Sequence, residues 1–288
     1  MTVNTQQPWL KQFTTGAGSG SGAAAAAPPV RTAAPAPART RIVCLPHAGG
    51  AATAFQGWAR HLPPDTELLA VQYPGRQNRI AEPCIESMPE LADAVCTALA
   101  ALPPLPTAVF GHSMGSLVAY ETVVRLARSA TPGTLPLHLF VSGAEAPHRA
   151  RKDLPALDDD SLIAYTRRQN AVDVPAAQDP YAIPELLDLL LPSLRADFTL
   201  LTGYRPAVPP AAVPVPVTAL GGDQDSGCPA EALPTWADLT TACFTSRVFP
   251  GGHFYLQGHE GAVASLVAST LAAAAAAAVA AAGRPQPA

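Results

Sequence analysis

Six short apolar runs, each stopped by glycine or proline, constrain this chain more than any other feature. They lie at 41–45 (RIVCL), 67–72 (ELLAVQ), 107–110 (TAVF), 137–142 (LHLFVS), 215–220 (VPVTAL) and 244–249 (FTSRVF). Runs this short, bounded by turn residues, read as strands and not as buried helices. Helical patterns fill the gaps at 53–62, 87–102 and 114–127, and a last one follows His259. Ser87 with Glu90 has the spacing of a capping box at the start of the second. Alternation of this kind predicts an α/β fold, a mostly parallel central sheet with flanking crossover helices. In such sheets function gathers at the carboxyl ends of the strands, where 46–50 (PHAGG), 73–75 (YPG), Gly111, Gly221-Gly222 and 250–252 (PGG) all fall.

Residues 148–204 break the rhythm. They are helical in pattern, punctuated by Pro155, Pro175, Pro180, Pro184 and Pro192, and inserted between the fourth and fifth strands. This reads as a helical lid over the strand ends and is expected to be the most mobile part of the domain. Leu186, Leu187, Leu190, Leu191 and Leu194 recur at helical spacing, with Leu187 and Leu190 expected on a channel-lining face. Residues 1–40 hold almost no large apolar side chains after Phe13 and read as a disordered low-complexity extension. The domain is expected to span 41–282, and 283–288 to be a flexible tail.

Composition narrows the partners. A formal net charge of −4 without a basic block argues against nucleic acid as a partner. Five cysteines, an odd number with no C-x-x-C pair, fit inert thiols in a cytoplasmic protein. Before the alanine run only Lys11 is basic and no leucine-rich segment follows, so no secretory signal is expected. The stretch 262–282 is long enough to cross a bilayer. It is mostly alanine and carries Ser265, Ser269 and Thr270, which favours a packed helix and no membrane span. A monomer is expected.

The chemistry centres on Gly111-His112-Ser113-Met114-Gly115. A G-x-S-x-G sequence that follows a strand and opens a helix is a nucleophile elbow, whose tight turn lifts the serine hydroxyl off the sheet. The helix beneath offers N–H groups and positive potential to an oxyanion. Of seven histidines, His253 follows a strand near the C-terminus, where the order Ser, acid, His puts the base. His259 reads as a cap for the last helix, and His47 as a residue that shapes its loop. The acid is Asp223 or Asp225, both in Gly221-Gly222-Asp223-Gln224-Asp225; Asp225 lies farther along the turn and is better placed to reach His253. Ala48 in the 46–50 loop and Met114 are the expected oxyanion donors. No cofactor and no metal is needed for such a set.

These stretches together resemble the type II thioesterases of modular polyketide and non-ribosomal peptide synthesis, within the α/β-hydrolase superfamily. The resemblance covers nearly all of 41–260 and rests on LPHAGG (45–50), FQGWARHLP (55–63), AVQYPGRQNR (70–79) and FGHSMGSLVAYE (110–121). It continues through VSGAEAP (141–147), LPSLRADFTLLTGY (191–204), ALGGDQD (219–225) and GGHFYL (251–256). The resemblance implies an α/β-hydrolase fold with a helical lid and a triad of Ser113, Asp225 and His253. The implied substrate is an acyl thioester on the phosphopantetheine arm of an acyl or peptidyl carrier protein. The implied role is editing, removal of stalled acyl groups through an acyl-enzyme. Pro74-Gly75-Arg76 matches the family's P-G-R turn and is read as structural. Two departures stand out. Ser226-Gly227-Cys228 follows the acid where the family often has proline, and 167–179 (RRQNAVDVPAAQD) differs from the usual lid stretch.

Three other readings share parts of this pattern. A malonyl-type acyltransferase also carries G-H-S-x-G but needs an arginine some 25 residues on, where this chain has His138. A non-catalytic binding protein would not need Ser, Asp and His together. A generic esterase or lipase shares the site and differs in substrate.

Overall fold

The computed structural model describes residues 8–14, 37–129, 133–149, 154–172 and 180–282. Seven strands form one sheet: β1 Leu10–Phe13, β2 Thr40–Leu45, β3 Thr66–Val71, β4 Thr107–His112, β5 His138–Ser142, β6 Val217–Gly222 and β7 Phe244–Phe249. Their spatial order is β1-β3-β2-β4-β5-β6-β7. All pairings are parallel except β1 against β3, where Leu10 opposes Val71 and Phe13 opposes Leu68. The chain moves one way from β2 to β3 and returns to the other side of β2 for β4. The loops after β2 and β4 therefore diverge and open a crevice between them. Leu45 and Gly111 are partners at its base.

Strand residues alternate between two apolar layers, as a sheet covered on both faces requires. Val43, Leu45, Leu69, Val71, Val109, Leu139, Val141 and Val217 face one layer. It is covered by α1 Met88–Ala100, α2 Met114–Ser129 and the helical stretch Ala230–Leu239. Ile42, Cys44, Leu68, Ala70, Ala108, Phe110, Phe140 and Leu220 face the other, beneath Ala52–His61 and α5 Leu256–Ala282.

The stretch expected as a helix at 53–62 is a 3-10 helix over Ala52–His61. Its buried residues Ala52, Phe55 and Trp58 recur every three positions, the period at which a 3-10 helix stacks side chains on one face. Leu233, Trp236 and Leu239 follow the same rule in Ala230–Leu239, which the sequence reading did not anticipate. Pro216 cannot donate to a ladder, so β6 begins at Val217 and not at 215.

Two expectations need correction. Part of the 1–40 extension is built into the sheet: Leu10 and Phe13 of β1 are buried and close the open edge of β3. Residues 15–36 and the expected tail 283–288 lie outside the described residues. The last helix starts at Leu256, before His259, and bends there (φ −124°). His259 lies inside the helix, its Nε2 2.9 Å from the Pro250 carbonyl. By length and composition α5 could cross a membrane. Its Val263, Ala264, Val267 and Leu271 are instead buried against the sheet.

The 148–204 insertion contributes α3 Asp159–Asn170 and α4 Pro184–Gly203. Asp158 caps α3 by accepting the Ser161 N–H at 2.9 Å. Arg195 of α4 pairs with Asp159 of α3. From Leu191 onward α4 is packed into the core through Leu191, Leu194, Phe198 and Leu201.

Candidate active site

The turn between β4 and α2 sets the geometry. Ser113 has φ +55°, in the left-handed region that side chains other than glycine rarely adopt. Such a conformation costs on the order of 1–3 kcal/mol and persists only where the surroundings enforce it. Here the Ser113 N–H donates to the Ser142 carbonyl at 2.7 Å, and Ser113 O accepts the Ser116 N–H at 3.0 Å. Ser116 Oγ in turn lies 2.9 Å from both Gly111 O and Ser142 O. The flanking glycines permit backbone contact between strand and helix. A Cβ on Gly115 would lie 2.1 Å from Leu45 O, and one on Gly111 2.2 Å from Gly115 O.

The turn after β7 brings His253 to the serine. His253 Nε2 lies 3.0 Å from Ser113 Oγ, and His253 Nδ1 lies 2.8 Å from Asp225 Oδ2. Both His253 and Asp225 are buried. Asp225 Oδ1 accepts the Gly227 N–H at 2.9 Å and the Cys228 N–H at 3.1 Å. Ser226-Gly227-Cys228 therefore anchors the carboxylate without a proline at 226. Asp223 points elsewhere, its Oδ1 accepting the Gly251 N–H at 2.9 Å as a turn residue. The structure thus separates two aspartates that sequence spacing left open.

Two further histidines surround His253. The His112 ring centroid lies 5.2 Å from that of His253, and His47 packs edge-on against Phe254 at 4.8 Å. Burial, then the nearby His253 and Arg76, pushes the His47 pKa down to about 3. Burial, then His253 and His47, holds that of His112 well below the ordinary histidine range. Both are neutral at pH 7. His112 Nδ1 lies 3.0 Å from Ser142 Oγ, which lies 2.7 Å from the Tyr255 hydroxyl. His138 stands at the opposite end of β5, 2.8 Å from Thr218 Oγ1, and plays no part in this cluster.

Ser113, His253, His47 and Ala48 line a cavity of about 1000 Å³. Its wall toward the lid is apolar, with Leu154, Tyr165, Leu194, Phe198 and Leu201, while Arg149, Arg168 and Gln169 also line it. Leu187 and Leu190 are not among the lining residues and pack against the core, which corrects the expected channel face. The lining falls to Leu194, Phe198 and Leu201, which continue the same helical face farther along α4. Met114 opens α2, so its N–H belongs to the first turn, which lacks intrahelical acceptors.

One pair escaped the sequence reading. Arg76 and Asp197 form a buried bidentate ion pair, with Nη1–Oδ2 at 2.6 Å and Nη2–Oδ1 at 2.8 Å. The signal was present: Asp197 is a lone carboxylate on the apolar face that carries Leu194, Phe198 and Leu201. Such a group needs a buried cation as partner.

A serine held at a strained strand-to-helix turn beside a histidine and a carboxylate, at the carboxyl edge of a parallel sheet, defines an α/β-hydrolase. Comparison with known proteins narrows the class. The thioesterase-domain family model matches residues 40–271. The chain is 44% identical over 227 residues to the thioesterase PikA5 of Streptomyces venezuelae, covering 76% of this chain and 77% of that protein. It is 36% identical over 232 residues to a probable cadicidin biosynthesis thioesterase of Streptomyces griseus, covering 80% of this chain and 62% of that protein. The structure of the type II thioesterase BorB from the borrelidin biosynthetic cluster superposes with a TM-score of 0.75 at 32% identity, covering 92% of this chain and 98% of that one. The chain belongs to the thioesterase family and is similar to type II thioesterases of polyketide and non-ribosomal peptide pathways. It is an enzyme, a hydrolase of thioesters.

Proposed function

We propose that the enzyme releases acyl groups from the phosphopantetheine arm of acyl or peptidyl carrier proteins, with Ser113 as nucleophile, His253 as general base and Asp225 as its partner. The observation that carries this reading is the continuous chain Asp225–His253–Ser113, at 2.8 and 3.0 Å, on the wall of a cavity large enough for an acyl chain. His253 takes the Ser113 proton as the oxygen attacks the thioester carbonyl. Asp225 holds the imidazole with its proton on Nδ1 and stabilises the charged ring. The N–H groups of Ala48 and Met114 receive the tetrahedral oxyanion, each worth about 3 kcal/mol of barrier. The pantetheine thiol leaves, and water activated by His253 releases the free acid from the acyl-enzyme.

The domain on this reading spans 41–282, joined at its sheet edge by β1, with 148–204 covering the acyl site. A monomer acting in the cytoplasm fits five cysteines, Cys44, Cys84, Cys96, Cys228 and Cys243, that form no disulfide. A generic esterase would use the same triad. Turnover of the same acyl group presented as a carrier thioester, as a pantetheine thioester and as a simple ester separates the two. The carrier form is expected to be hydrolysed most efficiently; equal kcat/KM for all three overturns the carrier assignment.

A further inference from the structure

The loop that supplies Ala48 is tied to the lid by one carboxylate. Asp197 of α4 is 1% exposed. Besides the two Arg76 contacts, its Oδ2 accepts the Gly49 N–H at 2.7 Å. Arg76, 6% exposed, also donates from Nη1 to Gly50 O at 3.2 Å. Burial disfavours the Arg76 cation, but the adjacent Asp197 outweighs it and holds the guanidinium pKa above its ordinary value. The rest of the loop is held by neutral bonds, from the Tyr73 hydroxyl to Pro46 O at 3.3 Å and from the Ala52 N–H to Gln72 Oε1 at 3.1 Å. Gly49 has φ +72°, and a Cβ there would lie 2.9 Å from Leu194 Cδ1, so the loop rests directly on α4.

We propose that Asp197 is a positioning residue for oxyanion stabilisation. It binds the Gly49 N–H and so fixes the loop with the preceding Ala48 N–H turned to the tetrahedral oxygen on Ser113. The proposal rests on the reading of Ala48 as a donor. Leu194, Phe198 and Leu201 lie three before, one after and four after Asp197, and all three line the cavity. A shift of α4 by a bound acyl chain therefore moves the carboxylate that holds the loop. Donor geometry matters in the transition state, so its loss lowers kcat and leaves KM nearly unchanged.

Two double variants isolate the Gly49 bond. Arg76→Met/Asp197→Asn and Arg76→Met/Asp197→Leu both remove the buried cation, so neither strands an unpaired charge. They are similar in shape, and only the asparagine keeps an acceptor for the Gly49 N–H. At equal melting temperature the asparagine form is expected to keep kcat within about threefold of the wild type. The leucine form is expected to lose about 10²-fold in kcat and in affinity for a boronic acid that mimics the tetrahedral state, with KM changed by less than about twofold. Equal kcat in the two folded variants overturns the proposal. Should either variant fail to fold, hydrogen exchange on the wild type before and after phosphonylation of Ser113 supplies the test. Protection of 46–50 and 190–200 is expected to rise together, and a rise confined to 46–50 overturns the coupling. A wild-type protein that takes no phosphonate at Ser113 overturns the reading of the site itself. Equal variants of a phosphonate-reactive enzyme overturn only the role of Asp197.

Discussion

Asp225→Asn tests the site at the level of a single proton. Asp225 Oδ1 accepts two N–H groups, from Gly227 and Cys228, and Oδ2 faces His253 Nδ1 at 2.8 Å. An asparagine can satisfy the two loop donors only by placing its carbonyl oxygen at the Oδ1 position. Its NH₂ is then forced toward His253 Nδ1, which must become an acceptor. The ring proton moves to Nε2 and points at Ser113 Oγ, where an acceptor is needed. The loop therefore locks the wrong tautomer, and reversing the amide would set NH₂ against two N–H donors at about 1–3 kcal/mol each. In a comparable triad this swap lowers turnover by about 10⁴-fold, equivalent to about 5.5 kcal/mol of barrier. Asp223→Asn keeps an acceptor for the Gly251 N–H and is expected to stay within about threefold of the wild type. The assay is steady-state release of acid from an acyl carrier protein, with melting temperatures to show that both variants fold. Activity within about tenfold of wild type for Asp225→Asn, or a crippled Asp223→Asn, refutes the tautomer argument.

Deleting residues 1–14 removes β1 with buried Leu10 and Phe13, worth about 1.5–3 kcal/mol each before loop entropy is offset. A drop in melting temperature of at least about 5 °C is expected by scanning fluorimetry, and an unchanged value would show that β1 adds nothing. Half-buried His47 and buried His112 and His138 are neutral in the folded state, with pKa values pushed down to about 3 for His47, well down for His112 and to about 4 for His138, desolvation being the first cause in each. Their unfolded counterparts bind protons below about pH 6.5, so unfolding takes up protons and stability falls as pH drops from there toward 4. Urea midpoints that stay flat between pH 7 and 4.5 would contradict this. Leu201→Trp, on the cavity wall, is expected to cut turnover of long acyl chains more than of short ones, whereas Leu187→Trp treats all lengths alike. Equal loss across chain lengths for Leu201→Trp removes it from the acyl wall.

What the sequence disclosed follows from how local each signal is. Strands β2 to β7 were legible because each is a short apolar run ended by a turn, and the elbow because strand, Gly111, Ser113, Gly115 and helix are contiguous. β1 was hidden because four residues just ahead of a glycine- and alanine-rich stretch carry no period of their own; its order comes from the β3 edge. Ala52–His61 was legible as a helix but not as a 3-10 helix, because a period of three over ten residues passes for a loose helical pattern. Asp223 and Asp225 could not be separated on spacing alone, since the difference lies in which loop N–H groups each carboxylate meets. The Arg76–Asp197 pair spans more than a hundred positions, and only the fold brings its ends together. The lid leucines had the right spacing and the right face, but Leu187 and Leu190 lie too near the start of α4, and the cavity meets that face from Leu194 onward.

The central claim is that Ser113 removes acyl groups from a carrier protein through a covalent intermediate. Intact mass of an acyl-loaded carrier, followed over time with catalytic amounts of enzyme, tests it most directly. The wild type is expected to return the carrier to its free-thiol mass over many turnovers, and Ser113→Ala, folded to the same melting temperature, to leave it loaded. Equal unloading by Ser113→Ala, or no unloading of any acyl group by the wild type, contradicts the account.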